Sequence, residues 1–313
     1  MKNIIKDLIS LCPRQGKNLA KTKRYLIAYL KKSGVKVKEE DFAITVPLIT
    51  KTSLTVDNKA IHCLGCSFIG GNIINKDTIL SSTIPSRYNL DLPNINFNPY
   101  SAGICRNNFY FAPALAVARS DVAKIVKARS VNGKVVVKKY EGRAAHLLVG
   151  NTRNPHTIVF AHYDSIGQGA TDNASGVAVM LQIITEFPKT LADTLYVFDG
   201  NEELSYDYPT YWGHGFRVFE KRHNSLLAEA KQIIIVDCVG NGPTKISSNP
   251  QLLELAFPIK NSAKWLNKTS TLYGDIGKLM AVYHSEADSL DQLTEKYLHE
   301  AANILQQLII NEG

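Results

Sequence analysis

Hydrophobic residues in the second half of the chain gather into short unbroken runs separated by polar loops. Residues 157–161 read TIVFA, 194–198 read TLYVF and 232–236 read QIIIV. A run of about five apolar residues without alternation is the pattern of a strand buried on both faces, as in a parallel sheet. The same reasoning predicts strands at 134–138, 146–149 and 278–283. Between them, residues 176–187 have the composition of a helix, which Pro188 ends. Residues 288–310 predict a long closing helix, with Leu290, Leu293, Tyr297, Ala301, Ile304 and Leu308 on one face. Near the start, Leu19, Leu26, Ile27 and Leu30 mark an amphipathic helix over 17–33, stopped by Gly34. Residues 35–45 then alternate as a strand does.

Strands alternating with helices predict an α/β fold, with a mostly parallel, mixed central sheet covered by helices on both faces. The expected organisation is one domain over 1–313 carrying a β-rich insertion at about 46–130. There Gly, Pro and Asn are frequent, as at 70–72 and 94–99, and the apolar runs at 79–80 and 115–117 are brief.

The chemistry lies just after the strands. TIVFA runs into His162, Tyr163 and Asp164, followed by a loop of small residues that contains Asp172. The strand at 194–198 leads to Glu202 and Glu203, QIIIV leads directly to Asp237, and the run at 278–283 leads to His284. Ligands of open α/β sheets collect at the carboxyl ends of the strands, so these residues are expected along one edge. Imidazole and carboxylate suit zinc, although cobalt or manganese would accept the same donors. Two histidines and three carboxylates can hold two ions if one carboxylate bridges them. Asp172 is the expected bridge, with His162 and Asp237 completing one site and Glu203 and His284 the other. Glu202, beside a ligand and pointing elsewhere, is the expected general base for a metal-activated water. Asp164 is placed to orient the His162 ring.

The series HYD, GATDNASGVA, NEE, VDCVG and YHSEADSLDQL resembles the co-catalytic zinc aminopeptidases of metallopeptidase clan MH. This group includes the bacterial leucyl aminopeptidases and relatives of glutaminyl cyclase. The resemblance covers about 155–300 and implies the phosphorylase/hydrolase-like zinc exopeptidase fold. It implies two zinc ions and a peptide substrate with a free N-terminus. It places the family's metal histidines on His162 and His284, its bridge on Asp172, its remaining ligands on Glu203 and Asp237, and its base on Glu202. Two departures stand out. Only 46 residues separate Asp237 from His284, short for a family that builds pocket loops there. Where the family often has a Ser-Asp pair, this chain has Tyr273-Gly274-Asp275, so Tyr273 is either an oxyanion donor or a core tyrosine. Acyl transfer of the glutaminyl-cyclase type, and a binding protein on the same fold, remain alternative functions.

Composition narrows the field further. The chain has 313 residues, 45% of them hydrophobic, and a net charge of +8. Its lysines are dispersed and not interleaved with aromatics, which argues for a solvated surface and against nucleic-acid binding. No stretch of eighteen apolar residues predicts a membrane span. Residues 1–10 do not form a secretory leader, so a cytoplasmic location is expected. Five scattered cysteines do not suggest a disulfide framework, and the CxxC of Cys63 and Cys66 lacks partners for a structural zinc site. His214 is expected to be structural or to line the pocket.

Overall fold

The unbroken apolar runs form strands that are buried along their whole length. In the computed structural model, which describes residues 1–74, 79–82, 91–207 and 210–310, strands Thr157–His162 and Thr194–Asp199 have no exposed residue. The chain divides into two units. The first comprises Met1–Ile44, Gly142–Leu279 and Asp288–Gly313, and the second Thr45–Glu141 and Met280–Ala287. Strands Lys38–Val56 and Val131–Gly150 contribute residues to both.

In the first unit, strand order runs Lys245–Ser247, Thr269–Tyr273, Gln232–Val236, Thr157–His162, Thr194–Asp199 and then the end of Val131–Gly150. The inner pairs are parallel, and the pairs at either end of this series are antiparallel. One face of the sheet presents Ile158, Phe160, Ile233 and Ile235 to Phe216, Phe219 and Leu227 of helix His214–Glu229. Helix Ser175–Glu186 packs against strands Thr157–His162 and Gln232–Val236 and against helix Glu295–Ile310. The mixed α/β class expected from the sequence is the one observed.

Three elements differ from expectation. The segment expected to be a strand over 278–283 is a helix, Ile276–Val282. Lys278, Leu279, Met280 and Ala281 are good helix formers, and Asp275 caps them, its side chain accepting from the Lys278 amide at 3.1 Å. The strand beside Gln232–Val236 is instead Thr269–Tyr273. The closing helix begins at Glu295 rather than at 288, because the Thr294 hydroxyl accepts from the Tyr297 amide and sets the start there. The strands expected at 134–138 and 146–149 are one strand, Val131–Gly150, which stays extended through its charged middle.

The second unit holds a four-stranded sheet ordered Cys63–Gly65, Ala114–Val117, Asn94–Phe97 and Ile79–Ser82. Ile95, Leu115 and Val117 face a core with Leu54, Ile73, Ile125 and Val135. Strand Asn94–Phe97 occupies residues whose asparagines suggested a loop. Asn94 and Asn96 project to the face opposite Ile95 and bond there, with Asn94 Oδ1 and Asn96 Nδ2 both engaging Ser81.

Candidate metal centre

His162 is the last residue of its strand and is 2% exposed. Its Nε2 lies 3.1 Å from Asp172 Oδ1 and 3.5 Å from Asp237 Oδ1, while its Nδ1 lies 3.3 Å from Asp164 Oδ1. Burial opposes a charged imidazole, but the bonds to Asp164, Asp172 and Asp237 prevail and hold its pKa well above the ordinary value. The surrounding acids therefore make this a place for a cation. Ligand atoms of His162, Asp172 and Glu203 lie within 4.8 Å of one another, and so do those of Asp172, Asp237 and Cys238. Asp172 is common to both groups. One nitrogen and several carboxylate oxygens converging at that spacing fit a zinc ion in chemistry and in reach.

The loops carrying these ligands are fastened by two buried carboxylates in the same way. Asp164, fully buried, accepts from the Glu202 amide through Oδ1 and from the Glu203 amide through Oδ2, both at 3.0 Å. Asp288, 1% exposed, accepts from the Thr171 amide at 2.9 Å and from the Asp172 amide at 3.0 Å. Its backbone carbonyl also takes the Ala170 amide. Burial raises the Asp288 pKa, against the hydrogen bonds that lower it. Asn173 fixes the next step, its Nδ2 donating to Val236 O and its Oδ1 accepting from Gly176. The turn into this loop is made by Gly169, at φ +60°, where a Cβ would strike the Asp172 carbonyl and the Ser165 side chain.

Glu202 retains partial exposure, unlike Glu203. Burial pushes its pKa well up; His162 opposes the rise, and Glu203, Asp164 and Asp237 add to it. The loop that carries the pair returns through the Gly213 amide, which donates to Glu202 O, and the Gly215 amide, which donates to Asn201 O. Asp207 braces it by bonding His214 Nδ1 and Arg217, each at 2.8 Å. These bonds lower the Asp207 pKa, and they give His214 a structural place.

The structure thus brings His162, Asp164, Asp172, Glu202, Glu203 and Asp237 together in the first unit. Tyr273 ends strand Thr269–Tyr273, and its neighbours run beside the segment that carries Asp237: Leu272 O accepts from the Asp237 amide and the Gly274 amide donates to Cys238 O. His284 lies in the second unit, after a helix rather than a strand. It adopts φ +53°, stacks on Tyr283, and approaches Arg106 O at 3.2 Å through Nδ1, while the Arg106 amide donates to its carbonyl.

Sequence reasoning missed Asp288, Asn173, Arg14 and Cys238. Asp288 and Asn173 stood inside the motif stretches as polar residues among small ones, a pattern that marks buried hydrogen-bonding groups. Arg14 carried no such signal. Cys63 and Cys66 are buried free thiols, and no metal-binding group among the described residues includes them.

Residues 144–249 match the model of peptidase family M28. That stretch contains His162, Asp164, Asp172, Glu202, Glu203 and Asp237, whereas Tyr273 and His284 lie beyond it. The family resemblance drawn from the motifs is thereby borne out. No curated protein matches the chain in sequence. Among solved structures, the zinc aminopeptidase BSAP from Bacillus subtilis is similar at a TM-score of 0.69 and 15% identity, covering 99% of this chain and 93% of that one. An aminopeptidase from Aneurinibacillus sp. strain AM-1 gives 0.65 and 16%, covering 99% and 92%. A glutaminyl cyclase from Porphyromonas gingivalis gives 0.55 and 13%, covering 100% and 97%. At such identities the structural matches establish the fold, and together with the M28 match they support a metal-dependent peptidase. Among the described residues no helix is long and apolar enough to cross a membrane.

Proposed function

We propose that the chain is a zinc-dependent aminopeptidase that hydrolyses the first peptide bond of substrates with a free N-terminus. The observation that carries this reading is His162 Nε2 within 3.5 Å of both Asp172 and Asp237, with Glu203 in reach and Glu202 alongside. Within the first unit, His162, Asp172 and Asp237 would hold one zinc ion, and Asp172 and Glu203 would contribute to a second. Bound zinc supplies Lewis-acid polarisation of the scissile carbonyl and acidifies water.

The remaining work belongs to the chain. Glu202 takes a proton from the attacking water as the new C–O bond forms, then delivers it to the amine nitrogen as the C–N bond breaks. Burial raises the Glu202 pKa, the direction that favours its holding the proton between the two steps. Asp164 holds the Glu202 and Glu203 amides in place while orienting His162. Tyr273 is the proposed hydrogen-bond donor to the oxyanion. The main chain of Arg106 holds His284 through its Nδ1 and its carbonyl.

The test is a panel of peptides in free and N-acetylated forms, including some beginning with glutamine, incubated with zinc-loaded protein and read by mass spectrometry. Loss of single N-terminal residues from the free forms alone is expected. Cleavage of both forms would overturn the aminopeptidase assignment. Loss of ammonia from the glutamine peptides without hydrolysis would transfer the site to cyclase chemistry, which the glutaminyl-cyclase-like fold also accommodates.

A further inference from the structure

The loop between His162 and Asp172 is wrapped around a buried cation. Arg14 is fully buried, and among the described ion pairs none includes it. Its Nε donates to Tyr163 O at 2.8 Å, Nη1 to Gln168 O at 3.0 Å, and Nη2 to Gly169 O at 3.0 Å and Asp164 O at 3.5 Å. Nη1 also reaches Cys12 Sγ at 3.2 Å, and the Arg14 amide donates to Ser165 Oγ at 3.2 Å. The next residue continues the contact, with Gln15 Nε2 donating to Asp164 Oδ2 at 3.2 Å.

We propose that Arg14 is a positioning residue for the metal centre, a planar template that sets the separation of His162 from Asp172. The proposal rests on the reading of those two residues as zinc ligands. The residues immediately after His162 and a few before Asp172 present their carbonyls to one guanidinium. The stretch 163–169 contains no helix or strand to hold its shape. A buried charge without a carboxylate partner is costly, and ordinary packing does not call for one here. A fork of five donors in fixed geometry satisfies several carbonyls that point inward from a single loop. A lysine ammonium offers its donors from one point and cannot span from Tyr163 O to Gly169 O. Gly169 closes the arrangement. A Cβ there would stand 2.9 Å from Arg14 Nη2 as well as against Asp172 O, so the guanidinium, the glycine and the ligand-bearing turn are fitted to one another.

The experiment compares zinc affinity with the stability of the metal-free protein in Arg14→Lys and Arg14→Met. Affinity is measured by chelator competition and stability by thermal unfolding of chelator-stripped protein. Both variants are expected to bind zinc about 10–100-fold more weakly, the range typical of lost outer-shell support. Arg14→Lys should recover part of the metal-free stability relative to Arg14→Met without recovering the affinity. Wild-type affinity in a folded variant, with only the unfolding temperature lowered, would reduce Arg14 to a packing role. Should neither variant fold, the Arg14 Nε–H resonance of the wild type decides. Zinc is expected to shift that resonance and slow its solvent exchange, and an unchanged signal would overturn the proposal. Failure of the wild type itself to bind zinc would refute the metal reading instead, which separates the two.

Discussion

The two histidines read as zinc ligands sit in contrasting settings. His162 ends a strand with no exposed residue, in the first unit, and three carboxylates bracket its ring. His284, in the second unit, comes two residues after a seven-residue helix, holds a left-handed backbone conformation, and is gripped by the main chain of Arg106. One ligand is placed by sheet geometry and surrounding charge, the other by a turn and two backbone contacts. Strand ends inherit their positions from the whole core. A ligand on a turn depends on a few local bonds, and those are the easier to perturb.

The largest expected effect falls on the proposed general base. Glu202→Gln should lower kcat by about 10²–10⁴-fold while zinc content measured by atomic absorption stays at the wild-type level. Undiminished turnover would remove Glu202 from the mechanism. The contrast itself is probed by His162→Ala and His284→Ala. Each should cost one tightly bound zinc equivalent. If His284→Ala retained two, His284 would not be a ligand. Asp288→Asn should weaken zinc binding about 10–100-fold, because one of the two oxygens that accept from the Thr171 and Asp172 amides is replaced by a donor. A calorimetric titration equal to wild type would show the clamp to be dispensable.

Acidity offers a milder probe. The Glu202 pKa is raised above its ordinary 4.5, and the base must be ionised to act. Activity should therefore be present above the raised pKa and disappear as pH falls through it. In the chelator-stripped protein the Glu202 carboxyl is expected to titrate above the ordinary carboxylate range, read by carbon NMR, and titration within that range would overturn the raised pKa. Smallest is Asn98→Ala, which removes the bond from Nδ2 to Met280 O at the base of the His284 turn. A stability loss of about 1 kcal/mol is expected, visible in denaturant unfolding, and a larger drop in zinc content than in stability would show that the turn is the fragile part.

The same contrast explains what was legible in the sequence. The runs at 157–161, 194–198 and 232–236 form strands because a segment apolar on both faces has few other stable uses, and the acids after them then fall at one edge. The segment at 278–283 misled because a short apolar run does not distinguish a strand from a helix; the Asp275 cap decided it. In the second unit, asparagines on a strand read as loop signals, since nothing local reveals that Ser81 meets them. Asp288 and Arg14 act on backbone groups far away in sequence, through contacts that leave no periodic trace. The order of the site motifs was readable, and the devices that hold their loops in shape were not.

The paired amide grips of Asp164 and Asp288 bear on how the protein acquires its metal. Small zinc domains are unfolded until the ion arrives, and their binding energy is their folding energy. Here the two ligand loops are already fixed by carboxylates that accept from main-chain amides. Metal uptake is then expected to be the filling of a cradle whose loops are already held in position. A protein built this way is expected to stay folded when a chelator removes its ion and to bind the ion again afterwards.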